Sequence, residues 1–83
     1  MNKYLNFKNK VSVITGAGSG IGREVSIKLS NLGSTVILIG RTKKVTKLEK
    51  KIGKKNAVSY ICDLSNEEAV KNLYDKIIKK YKK

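Results

Sequence analysis

Three short apolar runs divide the chain, and between them hydrophobic residues recur at a longer period. Val11-Ser-Val-Ile-Thr15 is rich in β-branched residues and ends at a glycine cluster, which predicts a buried strand. Thr35-Val-Ile-Leu-Ile39 is apolar on both faces, the pattern of a parallel strand covered by helices on either side. Ala57-Val-Ser-Tyr-Ile61 predicts a third, weaker strand. Between the first two, Ile21, Val25, Leu29 and Leu32 fall at helical spacing, with Gly33 where the helix would stop. Val45, Leu48 and Ile52 mark one face of a second helix, with Thr42 as its cap and Gly53 as its stop. Ala69, Val70, Leu73, Tyr74, Ile77, Ile78 and Tyr81 form the stripe of a third, amphipathic helix. Ahead of it, Ser65-Asn-Glu-Glu68 reads as a capping box, in which the serine hydroxyl and the Glu68 carboxylate each satisfy a free backbone N–H.

The predicted order is β-α-β-α-β-α. Strands alternating with helices imply an α/β fold with a parallel sheet and right-handed crossovers. Eighty-three residues make one small domain at most, with a modest buried fraction and marginal stability expected for the chain alone. There is no proline, and no internal linker or repeat is visible.

Composition narrows the function classes. With 40% hydrophobic residues the chain is not a disordered tail, and its longest apolar runs are strand-sized, too short to span a membrane. The stretch Met1–Lys10 is basic but lacks the apolar core of a secretory signal. The lone Cys62 cannot form an internal disulfide, so a reduced, cytoplasmic protein is expected. Cys62 reads as a small buried residue rather than a nucleophile, because the chain has no histidine to activate it, and no metal-ligand pattern is present. A net charge of +13 suggests nucleic acid at first sight. Against this, Arg23 and Arg41 are the only arginines, and the five aromatic residues are scattered rather than interleaved with the basic ones. The lysines fall mainly on the outer faces of the predicted helices, which favours a solvated surface over a nucleic-acid site.

The candidate chemistry lies between the first strand and the first helix, in Gly16-Ala-Gly-Ser-Gly-Ile-Gly22. Backbone N–H groups at the start of a helix are unpaired, and the helix dipole favours an anion there. Glycines let the backbone approach such an anion without a Cβ in the way. The spacing is Gly16-x-x-x-Gly20-x-Gly22, not the strict G-x-G-x-x-G pattern, because Ile21 stands where the third glycine of that pattern would fall. Directly after a buried strand and before an amphipathic helix, the cluster is a strong signal for a nucleotide pyrophosphate.

Thr15-Gly-Ala-Gly-Ser-Gly-Ile-Gly22 resembles in full the T-G-x-x-x-G-I-G signature of the short-chain dehydrogenases/reductases, and the element order and spacing agree from Lys10 to about Tyr81. The resemblance implies that residues 1–83 are the first, incomplete part of a single NAD(P)-binding Rossmann domain, a β-α-β-α-β-α half of a doubly wound sheet. It implies that Ser19 and Ile21 contact the adenosine phosphates while Gly16, Gly18, Gly20 and Gly22 admit the pyrophosphate. Cys62-Asp63-Leu64 resembles the family segment whose aspartate and following backbone hold the adenine; the alternative for Asp63 is an N-terminal helix cap, and the two roles are compatible.

An NAD-preferring domain places an acidic residue at the end of its second strand, to bind the ribose 2′-hydroxyl. Gly40 occupies that place, followed by Arg41 and Thr42, with Lys43 and Lys44 adding positive potential. An arginine gripping the 2′-phosphate through a charge-assisted hydrogen bond contributes about 1.5–3 kcal/mol, roughly a ten- to hundredfold preference for NADP(H) over NAD(H). In the family, too, an arginine at this place is associated with NADP(H).

The family's catalytic serine, Y-x-x-x-K pair, supporting asparagine and N-N-A-G segment have no match, so no catalytic residue is assigned and the chain alone is expected to be inactive. Tyr4 and Lys8 satisfy Y-x-x-x-K by spacing only, since they precede the first strand. In the strand order 3-2-1-4-5-6 the first strand pairs on both sides, so its second edge would be bare here and self-association is expected. The leading reading is the cofactor-binding half of a short-chain reductase acting on a small ketone or alcohol, with 3-oxoacyl-carrier-protein reductase one plausible kind. The others are a non-catalytic nucleotide-binding remnant and a basic nucleic-acid-binding domain.

Overall fold

The computed structural model describes residues 8–81. In chain order it contains β1 (Val11–Thr15), α1 (Gly20–Asn31), β2 (Thr35–Gly40), α2 (Lys44–Ile52), β3 (Ala57–Ile61) and α3 (Glu67–Tyr81). All three strands run parallel in the order β1-β2-β3. This is the Rossmann-like β-α-β-α-β-α arrangement expected from the alternation of periods.

Strand β2 sits in the centre because it is the one strand able to bury both faces. Val36, Ile37 and Leu38 are fully buried and Ile39 nearly so. Its odd and even residues go to opposite layers. Val36 and Leu38 pack with Ala17, Val45, Leu48 and Ala57, joined by Ile14, Ile27, Leu29 and Ile52, under α1 and α2. Ile37 and Ile39 pack with Cys62 and Ile77, joined by Tyr60, Ala69, Val70, Leu73 and Tyr81, under α3. Each buried Val, Leu or Ile side chain contributes about 1.5–3 kcal/mol of transfer free energy, so β2 anchors both layers.

Several local expectations are corrected. In α1 the residues turned inward are Ser26, fully buried, with Ile27 and Leu29; Ile21 is 83% exposed and Val25 is also exposed. Side chains at Ile21 and Val25 therefore do not build this core, although their spacing is helical. In α3, Ile77 is the buried residue, whereas Tyr74 and Ile78 are exposed. The helix-length periodicity was legible, but the width and rotation of each buried face depend on the neighbouring layer.

The capping box is also displaced. The Asp63 carboxylate accepts from the Ser65 N–H (3.0 Å) and the Ser65 hydroxyl (2.7 Å), so Ser65 is held in a turn. Asn66 caps α3 instead, its Oδ1 accepting from the Ala69 N–H at 3.0 Å. An ionised carboxylate is the stronger acceptor, and it takes both donors of the serine before the helix begins. Thr42 does serve the start of α2, accepting from the Lys44 N–H at 3.3 Å, though Lys43 stands between it and the first helical residue.

A further contact ties the layers together. The Glu49 carboxylate of α2 accepts from both the N–H and the hydroxyl of Ser59 in β3, each at 2.6 Å. Nothing in the sequence singles out Glu49, because α2 and β3 are neighbours only in the folded sheet.

Candidate functional site

Parallel strands bring their C-terminal ends to one edge. Thr15 is in register with Ile39, and Gly40 with Ile61, so the segments 16–19, 41–43 and 62–66 emerge side by side. This edge, where the chain leaves each strand for a helix, is where ligands of open α/β sheets bind.

The glycine loop is pinned to β2. The Ala17 N–H donates to the Ile39 carbonyl at 3.2 Å, and Ala17 is fully buried. Gly16 and Gly20 turn the chain at φ +64° and +57°, a region that costs residues with a Cβ. A Cβ on Gly22 would collide with the Gly16 carbonyl oxygen and stand 2.9 Å from its carbon, so the first turn of α1 rests directly on the loop backbone. Ser19, in extended conformation at the start of α1, makes no side-chain cap, and the first turn holds no acidic residue. The N–H groups there keep their hydrogen-bonding capacity and the positive end of the helix dipole stays uncompensated, which suits an anionic ligand.

Opposite this wall stand Arg41 and Thr42. A cleft of about 270 Å³ is lined by Gly16, Gly18, Ser19, Gly40, Arg41, Thr42, Lys44, Val45 and Leu64. Six of the residues singled out from sequence therefore meet in one place: Gly16, Gly18, Ser19, Arg41, Thr42 and Leu64. Gly20 and Gly22 lie behind them on α1. The Ile21 side chain points elsewhere, into a shallow groove with Arg23, Glu24, Val25 and Lys28. Asp63 does not line the cleft and is exposed, but its carboxyl is held below the usual 3.8 by the Ser65 hydroxyl, then by the Ser65 N–H, with the Arg41 charge adding to both. It does not cap α3, because Asn66 does.

Gly40, Lys44 and Val45 complete the cleft. A Cβ on Gly40 would lie 2.6 Å from a Val45 methyl group, a stiff side chain with no room to retreat. Gly40 thus has a packing reason to be glycine as well as leaving the ribose position without an acid. The contact of Val45 with this strand end is a tertiary fact that its helical periodicity did not disclose.

Among the described residues no group of three His, Cys, Asp or Glu side chains could hold a metal ion, and no helix is long and apolar enough to cross a membrane. Tyr4 lies outside the described residues, so its chance spacing with Lys8 has no structural account.

The comparisons with known proteins agree with the geometry. The family model described as short chain dehydrogenase matches residues 10–83. A 3beta-hydroxysteroid dehydrogenase of Mediterraneibacter gnavus is 40% identical over 82 residues, 93% of this chain and 29% of the relative. A metagenomic short-chain oxidoreductase solved in complex with NADP superposes with TM-score 0.84 at 32% identity, covering 90% of this chain and 35% of that one. A 3-ketoacyl-(acyl-carrier-protein) reductase of Brucella melitensis, complexed with NADH, gives TM-score 0.85 at 29% identity, over 94% and 32% of the two chains. The chain spans about a third of the length of these relatives. The signature loop, the parallel sheet and the match over residues 10–83 lead to one conclusion: the chain belongs to the short-chain dehydrogenase family.

Proposed function

We propose that this chain is the NADP(H)-binding part of a short-chain oxidoreductase that interconverts a carbonyl and an alcohol. The observation that carries this reading is the cleft itself, where the uncapped start of α1 faces Arg41 and Thr42 across about 270 Å³ at the strand ends. Gly16, Gly18, Gly20 and Gly22 clear the backbone for a pyrophosphate, and Ser19 and the Ile21 N–H lie on the turn that receives it. Ile21 takes part through its backbone, since its side chain is turned away. Arg41 and Thr42 hold a 2′-phosphate, and Leu64 gives the adenine an apolar wall; Asp63, just before Leu64 and outside the cleft lining, is the residue assigned to the adenine by the family likeness. Once bound, a nicotinamide cofactor supplies or accepts hydride. This chain's residues bind and orient it, and none is assigned a proton-transfer role.

The preference for NADP(H) rests on Arg41 and on the absence of an acid at Gly40, because the similar solved structures divide between NADP and NADH. A substrate of the 3-oxoacyl-carrier-protein class is favoured by the likeness to the Brucella reductase, while the steroid dehydrogenase relative keeps a second carbonyl class open. The lone free cysteine supports a reduced, cytoplasmic setting.

Fluorescence titration of the chain with NADPH and with NADH tests the reading. The expected outcome is weak binding with NADPH roughly ten- to hundredfold tighter, and reversal of that order in Arg41→Asp. Equal affinities for the two cofactors in the unmutated chain overturn the NADP(H) assignment.

A further inference from the structure

A second cavity, of about 270 Å³, lies in the groove between α1 and α2 and is lined by Gly18, Arg23, Lys44, Lys47, Leu48 and Lys51. Four of its six lining residues are cations and none is an acid. We propose that this groove is a separate binding site for a free, multiply charged phosphate, distinct from the cofactor cleft.

Four features of this chain converge on that ligand. Lys44, Lys47 and Lys51 follow one another at helical spacings of three and four along α2, where like charges repel. Lys44 also stands in the first turn of α2, at the positive end of the helix dipole, and that turn contains no acidic residue. Across the groove, Arg23 adds a fourth charge, and its ion pair with Glu24 is loose, at 3.6 Å, with both side chains over a third exposed. The nearest acid of α2, Glu49, is committed to Ser59 on the other side of the helix.

An abundance of lysine explains a basic surface but not four cations around one concavity whose lining contains no carboxylate. Leu48, 3% exposed, and Gly18 form a floor that no side chain fills. A Cβ on Gly18 would stand 2.8 Å from the Lys44 Cβ, so α2 approaches the loop at this point as closely as backbone allows. The groove thus has a floor fixed by the close approach of α2 to the loop and a rim of four cations, enough to neutralise several phosphoryl charges. Arginine and lysine together suit it, the guanidinium gripping two oxygens and the ammonium groups acting as point charges.

The two cavities share Gly18 and Lys44. A phosphate could therefore reach the groove either as part of the cofactor or as a free ion, and the test separates these sources. Two-dimensional NMR of the full chain is recorded during titrations with tripolyphosphate and with NADPH. Tripolyphosphate is expected to bind one-to-one, to perturb Gly18, Arg23, Lys47 and Lys51 first, and to weaken as salt rises. The double variant Lys47→Gln with Lys51→Gln should bind it roughly tenfold less tightly or worse. A matched variant, Lys54→Gln with Lys55→Gln, removes the same charge from the exposed loop before β3 and should bind as the parent does. Both pairs are solvent-facing, so both variants are expected to fold, and their spectra report it directly. Equal losses in the two variants, or shifts spread over every lysine, overturn the proposal by showing attraction to net charge alone. Groove shifts seen with NADPH but not with tripolyphosphate overturn it too, by assigning the groove to the cofactor. Failure of NADPH to bind leaves the tripolyphosphate result readable, so the two readings stand or fall apart.

Discussion

The Asp63 carboxylate takes both hydrogen bonds that Ser65 can offer, and Arg41 lies close enough to lower its pKa further. Because the folded-state value lies below the ordinary 3.8, the turn gains stability from the ionised form. That gain is complete above the unfolded value and is lost as pH falls through the folded one, so the affected window lies on the acid side of 3.8 and the turn is intact at neutral pH. Ser65→Ala removes the hydroxyl donor, the largest cause of the shift, and the Asp63 midpoint in a carboxyl NMR titration should move up toward 3.8. A midpoint that stays where it was would mean that the hydroxyl does not hold the carboxylate. Gly40 carries a different lesson at the same scale. An acid placed there to favour NADH would strike Val45, which is why Arg41 is the better position at which to reverse the cofactor preference.

Between elements, the Glu49–Ser59 contact is the specific polar tie of α2 to the edge of the sheet. One carboxylate oxygen satisfies a strand N–H that no further strand reaches among the described residues, together with a hydroxyl. Hydrogen bonds to a charged group contribute about 1.5–3 kcal/mol, so Glu49→Ala should lower unfolding free energy by that order in a urea melt. Glu24→Ala is the comparison, since its ion pair with Arg23 is long and exposed and should contribute under about 1 kcal/mol. Equal costs for the two substitutions would deny the latch its role. The start of α3 shows the same competition between partners: a capping box was legible in Ser65-Asn-Glu-Glu68, but Asp63 claimed the serine and Asn66 became the cap.

For the whole molecule, Val11, Val13, Tyr74 and Ile78 are exposed apolar residues on the α3 layer of the sheet. Val13 is in register with Ile37 and shares its face of the sheet, yet it is 52% exposed, and Val11 beside it is exposed as well. On α3, Lys76 lies over the Tyr60 ring of β3 at 5.4 Å, so at 100° per residue Tyr74 and Ile78 occupy the flank turned toward β1. Strand β1 pairs with β2 on one side and with no strand on the other among the described residues. An apolar, unpaired parallel edge favours association between copies. The chain is expected to sediment as oligomers at high micromolar concentration, and Val13→Lys should shift it toward monomer. Monomeric behaviour of the unmutated chain across that range would contradict the expectation.

The family, the order and type of the six elements and the position of the glycine loop were all legible in the chain before its fold was known. Those rest on local patterns: period-two and period-3.6 hydrophobicity, and a glycine spacing whose meaning comes from the strand before it and the helix after it. Tertiary structure alone decided which face of each helix is buried. Ile21, Val25, Tyr74 and Ile78 keep helical spacing yet remain exposed, because burial requires a neighbouring layer that a periodic pattern cannot supply. It also decided that Val45 borders the cleft, that Glu49 holds Ser59, and that Arg23 faces three lysines of α2. Each of these joins residues from different elements, and such meetings exist only once the crossovers have set the helices against the sheet.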